Sequence, residues 1–116
     1  MEDIEITPVD EKLVADAIKY VEQNMSNDEL SVEELSRALA MSRTNLYKKL
    51  LAITGKKPIE FIRVIRLKRA AQYLRDSGLS ISEVAYRVGF NPRVFSRHFK
   101  DEFGCLPSEY QEKENG

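Results

Sequence analysis

The sequence predicts an all-α fold of seven helices, arranged as two similar helical pairs joined by one long helix. Three observations predict it. Apolar residues recur at helical spacing between capping and stopping residues, and convincing strands are absent. Gly and Pro number only 5 and 4 among 116 residues, few for a loop-rich or all-β chain. The second half of the chain repeats the first at a fixed offset. With 42% hydrophobic and 32% charged residues, the chain falls in the soluble globular class, of one-domain size.

A first helix is predicted from Pro8 to about Met25, with Thr7 as cap and Pro8 in its first turn. Leu13, Ala17, Tyr20 or Val21, and Asn24 or Met25 fall at helical spacing, and Ser26-Asn27-Asp28 breaks the run. Ser31 and Glu34 fit a capping box for a second, short helix with Val32, Leu35, Ala38 and Leu39 on its apolar face. Ala40-Met41 forms a turn. Ser42 caps a third helix to about Thr54, with Leu46, Leu50 and Ile53 inward and Gly55 as its stop. Pro58 opens the longest helix, to about Asp76. Its apolar set is Ile59, Ile62, Ile65 or Leu67, Ala70, Ala71 and Leu74. Ser80 and Glu83 form another box, for a fifth helix through Val88. Gly89-Phe90 turns, and Asn91 with Pro92 starts a sixth helix that ends at Gly104. Pro107 opens a last short helix near Glu109–Gln111, followed by a frayed tail.

Shifted by 49 positions, the chain matches itself without a gap. Ser31 meets Ser80, Glu34 meets Glu83, and Leu35 meets Val84. Leu46 meets Phe95, Leu50 meets Phe99, Gly55 meets Gly104, and Pro58 meets Pro107. Each copy reads as a capped short helix, a tight turn, a capped longer helix, a Gly stop and a Pro restart. The chain thus divides into an acidic lead-in over 1–9, a first unit over 10–57, a linker helix over 58–77, a second unit over 78–112 and a tail over 113–116.

Two helices joined by a turn this short are a helix-turn-helix. In that unit the second helix lies in the DNA major groove and presents its N-terminal residues to base edges. It needs an apolar inner face and hydrogen-bonding residues outside. The expected base contacts are Arg43, Thr44, Tyr47 and Lys48 on the first copy, and Arg93, Ser96 and Arg97 on the second. The expected phosphate contacts are Ser42, Asn45, Arg66, Arg69, Asn91 and Lys100. The linker of 19 residues, Pro58 to Asp76, spans about 28 Å at the α-helical rise. Successive major-groove segments on one face lie about 34 Å apart. One monomer is therefore expected to read two adjacent segments.

Charge is distributed to match. The formal net charge is only −1, but residues 1–34 carry 11 acidic and 2 basic side chains, whereas residues 35–100 carry 3 acidic and 15 basic. Residues 101–116 return to 5 acidic and 1 basic. The central block makes a local positive field whatever the total. Taken alone it is equally a solvated helical surface.

These residues resemble the AraC/XylS family of bacterial transcription regulators. The resemblance rests on VEELSRALAMSRTNLYKKLLAITGKKPIEFI, IRLKRAAQYL and SISEVAYRVGFNPRVFSRHFKDEFGCLPSEY, and covers about Asp10 to Tyr110. It implies a tandem, homeodomain-like pair of helix-turn-helix subdomains that binds double-stranded promoter DNA, most often to activate transcription. The stretch LYKKLLAITGKKPIEFIRVIRLKRAAQYL is most similar to the C-terminal output domains of hybrid two-component proteins. Those carry a sensor, a histidine kinase and a receiver upstream, in a parent anchored in the inner membrane. Two departures stand out. Ala40 occupies a turn position that is usually Gly, and fits it if its φ is not positive. One residue fewer separates Phe90 from Phe95, so the sixth helix is expected to start later or to enter the groove differently.

Other classes are disfavoured. Cys105 and His98 are the single residues of their kinds, so neither an internal disulfide nor a two-His metal site can form. No paired carboxylates, phosphate loop or metal cluster stands out, so no catalytic residue, metal, cofactor or small-molecule ligand is expected. His98 reads as structural or phosphate-contacting, and Cys105 as a packed thiol. The acidic start lacks the basic and apolar regions of a signal peptide, and no apolar run is long enough to cross a bilayer. A cytoplasmic, nucleoid-associated domain is expected. The acidic first helix reads as solvated surface, with RNA polymerase or an upstream domain as its alternative partner. The competing function is a helical protein-interaction module that has lost DNA binding.

Overall fold

A computed structural model describes residues 7–27 and 29–115. Seven helices run in order among them: α1 (Pro8–Gln23), α2 (Val32–Ala38), α3 (Arg43–Thr54), α4 (Pro58–Asp76), α5 (Ile81–Arg87), α6 (Pro92–Phe103) and α7 (Pro107–Asn115). None is long and apolar enough to cross a membrane. The chain forms two compact units, Met1–Asn24 with Glu29–Arg63, and Met25–Asp28 with Val64–Gly116.

Helix starts follow from side chains that accept the free N–H groups of the first turn. Thr7 caps α1 and Ser80 caps α5, each in a reciprocal capping box with Asp10 or Glu83. Ser31 Oγ accepts from Glu34 N at 3.1 Å, one arm of the expected box. Ser42 accepts from Asn45 N, and Asn91 from Arg93 N. The two proline restarts are closed alike. Glu60 accepts from Lys57 N at 3.1 Å, and Glu109 from Leu106 N at 2.9 Å.

In the first unit, α1, α2 and α3 pack around Ala17, Val21, Leu35, Leu46 and Leu50, all fully buried. Phe61 and Ile62 add the first turns of α4 to this core. Lys49 pairs with Asp10 at 3.4 Å, tying α3 to the start of α1. In the second unit the rest of α4 contributes Leu67, Ala70, Ala71 and Leu74. α5 contributes Val84, Ala85 and, at its C-cap, Val88. An aromatic column runs from Phe95 through Phe99 to Phe103 and Tyr110, with neighbouring ring centroids 4.5–5.8 Å apart. Gln111 donates to the carbonyls of Leu74 and Leu79, which holds α7 against the C-terminal end of α4.

Four expectations are corrected. α1 ends at Gln23, two residues early, because Asn24 N–H already turns back to Tyr20 O and Val21 O. Ile59 lies 59% exposed rather than in the core. With α4 opening at Pro58, the inward phase falls on Phe61 and Ile62 instead. α7 runs to Asn115, well beyond the short helix and frayed tail expected. Ala40 has φ 55, so Ala is held in the left-handed region that its side chain disfavours.

Candidate nucleic-acid interface

In the first unit, the turn that precedes α3 is built from Ala40, Met41 and Ser42. Ala40 N bonds Arg37 O and Met41 N bonds Ser36 O, which satisfies the end of α2 while the chain reverses. α3 then runs twelve residues to a left-handed Gly55. Leu46 and Leu50 bury its inner face completely. Its other side exposes Ser42, Arg43, Thr44, Asn45, Tyr47 and Lys48. Among the described residues no ion pair engages Arg43 or Lys48, whereas Lys49 turns to Asp10. The first turn of α3 holds no acidic residue, so the helix N-terminus and two cations present an unneutralised positive surface.

An open, largely apolar groove borders this face. Val32, Tyr47, Pro58 and Ile59 line it, with Arg43, Thr44, Lys48 and Lys57 at its polar positions. Tyr47 is 42% exposed. Ile59 and Lys57 were not expected here. The signal for Ile59 was present, since a helix starting at Pro58 with Phe61 and Ile62 inward leaves position 59 outside.

The second unit repeats this plan. Gly89 occupies the turn with φ 84, and Phe90 N bonds Ala85 O at 2.8 Å. Asn91 caps α6, Pro92 fills its first position, and a left-handed Gly104 ends it after twelve residues. Phe95 and Phe99 are fully buried. Asn91, Arg93, Arg97 and Lys100 are exposed, and Ser96 is half-buried. α6 therefore starts neither late nor short relative to α3. Its missing residue, against the family pattern, leaves the two copies equal in length.

The residues expected on α4 separate. Arg69 is half-buried. Arg66 is only 7% exposed, and its Nη2 donates to the Asn27 carbonyl at 2.6 Å. The guanidinium is thus committed inside the second unit rather than exposed as a phosphate contact would require. His98 is half-buried with its ring 5.8 Å from that of Phe90. Cys105 is a half-buried free thiol. No group of His, Cys, Asp and Glu able to hold a metal is found among the described residues.

A family model for the helix-turn-helix domain matches residues 35–113, about half of the first unit and most of the second. The chain belongs to the AraC-type helix-turn-helix family. Over 112 residues this AraC-type domain is 45% identical to histidine kinase P4 of Formosa agariphila, covering 96% of the chain but 8% of that protein's length. It superposes on the C-terminal domain of AraT, a response regulator from Geobacillus stearothermophilus. There the TM-score is 0.80 and the identity 28%, over 94% of this chain and 88% of that one. The DNA-binding domain of the global transcriptional factor AdpA, in complex with a target DNA, matches with a TM-score of 0.78. The identity is 27%, over 86% of this chain and 90% of that one. All three matches extend over both helical pairs.

Proposed function

We propose that this AraC-type domain binds double-stranded promoter DNA with α3 and α6 in adjacent major-groove segments. In this reading it serves as the output domain of a two-component phosphorelay protein. One observation carries this: both copies hold a buried apolar face and an exposed basic face on helices of the same span, fixed between a cap and a Gly stop. Arg43, Thr44, Tyr47, Lys48, Arg93, Ser96 and Arg97 are the base-reading residues. Ser42, Asn45, Arg69, Asn91 and Lys100 approach phosphates. Likeness to a histidine kinase at 8% of its length and to a response regulator's C-terminal domain supports a longer parent with sensor, kinase and receiver upstream. That parent sits in the inner membrane, this domain faces the cytoplasm and nucleoid, and its output is activation through RNA polymerase.

The test is selection of bound sites from a random duplex pool, then affinity for the selected site across a salt series. Counterion release makes log K fall linearly with log salt, by about 0.9 per phosphate neutralised. A steep slope is expected. Replacing Arg43 and Lys48 together by Ala should abolish the shift of the selected duplex. Salt-independent binding, or a shift indifferent to that double change, would favour the protein-interaction module.

A further inference from the structure

Arg66 sits almost fully buried on the second-unit part of α4, and its surroundings lead directly to the second reading helix. Its Nη2 donates to Asn27 O at 2.6 Å. Its guanidinium carbon lies 5.8 Å from the centroid of the Phe90 ring. That ring in turn lies 6.1 Å from Phe95 and 5.8 Å from His98, both on α6. The backbone beside Phe90 leaves no slack. A Cβ on Gly89 would stand 2.6 Å from Met25 O and 2.9 Å from Arg66 Cζ. The guanidinium is thus enclosed by the turn that precedes α6, with one nitrogen anchored on the connector between α1 and α2.

We propose that Arg66 is a positioning residue for DNA reading: anchored on Asn27 O, it sets the Gly89-Phe90 turn, and through the Phe90 ring the rotation and entry angle of α6. The geometry suits Arg rather than Lys. A planar, delocalised cation can bond a carbonyl at its edge and stack an aromatic ring on its face at once. α6 carries Arg93 and Arg97 at its exposed surface, and a small rotation moves both relative to base edges. A bidentate contact tolerates little such movement. This rests on the DNA-binding reading above.

The experiment separates positioning from phosphate contact, and both from failure of DNA binding. Arg66→Met keeps a long side chain but removes the donors and the cation. Phe90→Leu leaves Arg66 intact and removes the ring that relays its position. Both full-length variants and the wild type are tested on the wild-type selected duplex across salt, and each is used to reselect sites from the random pool. For both variants binding should weaken on the order of tenfold, the loss expected when a base contact is misplaced. The salt slope should stay unchanged. Reselected sites should alter only at the base positions that Arg93→Ala or Arg97→Ala also alters.

An Arg66→Met slope shallower by about 0.9 with unaltered base preferences would make Arg66 a phosphate contact and overturn the proposal. Wild-type preferences retained by Phe90→Leu would also overturn it. If Arg66→Met does not fold, as read by circular dichroism, Phe90→Leu decides the matter alone. Absence of salt-dependent binding by the wild type would sink the DNA-binding reading and this proposal with it.

Discussion

Ala40 and Gly89 occupy the same turn of the two copies and the same left-handed backbone region, with φ 55 and φ 84. One carries a Cβ and the other has no room for it. A left-handed L-residue costs about 1–2 kcal/mol, offset in part by the extra unfolded-state entropy of Gly. Ala40→Gly should therefore stabilise the domain by about 1 kcal/mol. Gly89→Ala should destabilise it by more than that, since the new methyl meets a carbonyl oxygen at 2.6 Å. Denaturant midpoints of the two variants check both signs. A destabilised Ala40→Gly would contradict the strain assigned to that turn.

Lys48 and Arg97 lie at corresponding positions, both exposed. If each donates to a guanine, replacement by Ala should cost about 1–3 kcal/mol on the selected duplex and relax preference at one base position. Affinities measured on the duplex and on its single-base variants distinguish this from a uniform loss, which would reassign the residue to phosphate.

Acid should weaken the domain through Asp10. Burial pushes its carboxyl up, but hydrogen bonds with Thr7 and the ammonium of Lys49 outweigh this and hold it below its ordinary 3.8. Bonds to Ser80 likewise lower Glu83 from 4.5. A depressed native value means the ionised group stabilises the fold above its unfolded value, and that support is lost as pH falls through the folded one. Unfolding midpoints at about pH 6 and about pH 3 should therefore differ less in Asp10→Asn than in the wild type. Equal differences would show that Asp10 does not contribute.

Phe99 touches Phe95, Phe103 and Tyr110 and is fully buried. Its replacement by Ala leaves a cavity at the centre of the aromatic column. A loss of about 3–5 kcal/mol is expected, measured by chemical denaturation. Replacement of the exposed Tyr86 by Ala should change stability by under about 0.5 kcal/mol.

Features set by neighbours in sequence were legible. Thr7, Ser42, Ser80 and Asn91 cap where their spacing to the next backbone N–H predicts, and Gly55 and Gly104 stop α3 and α6. The exposed basic residues of α3 follow from helical phase, because Leu46 and Leu50 fix its inward face. What escaped depends on tertiary surroundings. Arg66 reads as one more cation of a basic helix, and only the Asn27 carbonyl and the Phe90 ring explain its burial. The φ of Ala40 is invisible in its own side chain. Its counterpart Gly89 was the available clue. The length of α7 escaped because its last residues bury little, and its start is held by Glu109 while Gln111 fastens it to α4.

The shared twelve-residue span of α3 and α6 makes the reading surfaces exchangeable parts. Because cap, inner face and terminator coincide position by position, the outward side chains of one helix can be grafted onto the other without touching what folds it. A chimaera carrying the α6 exterior on the α3 scaffold would keep the fold of the first unit, and new specificities could be assembled one module at a time.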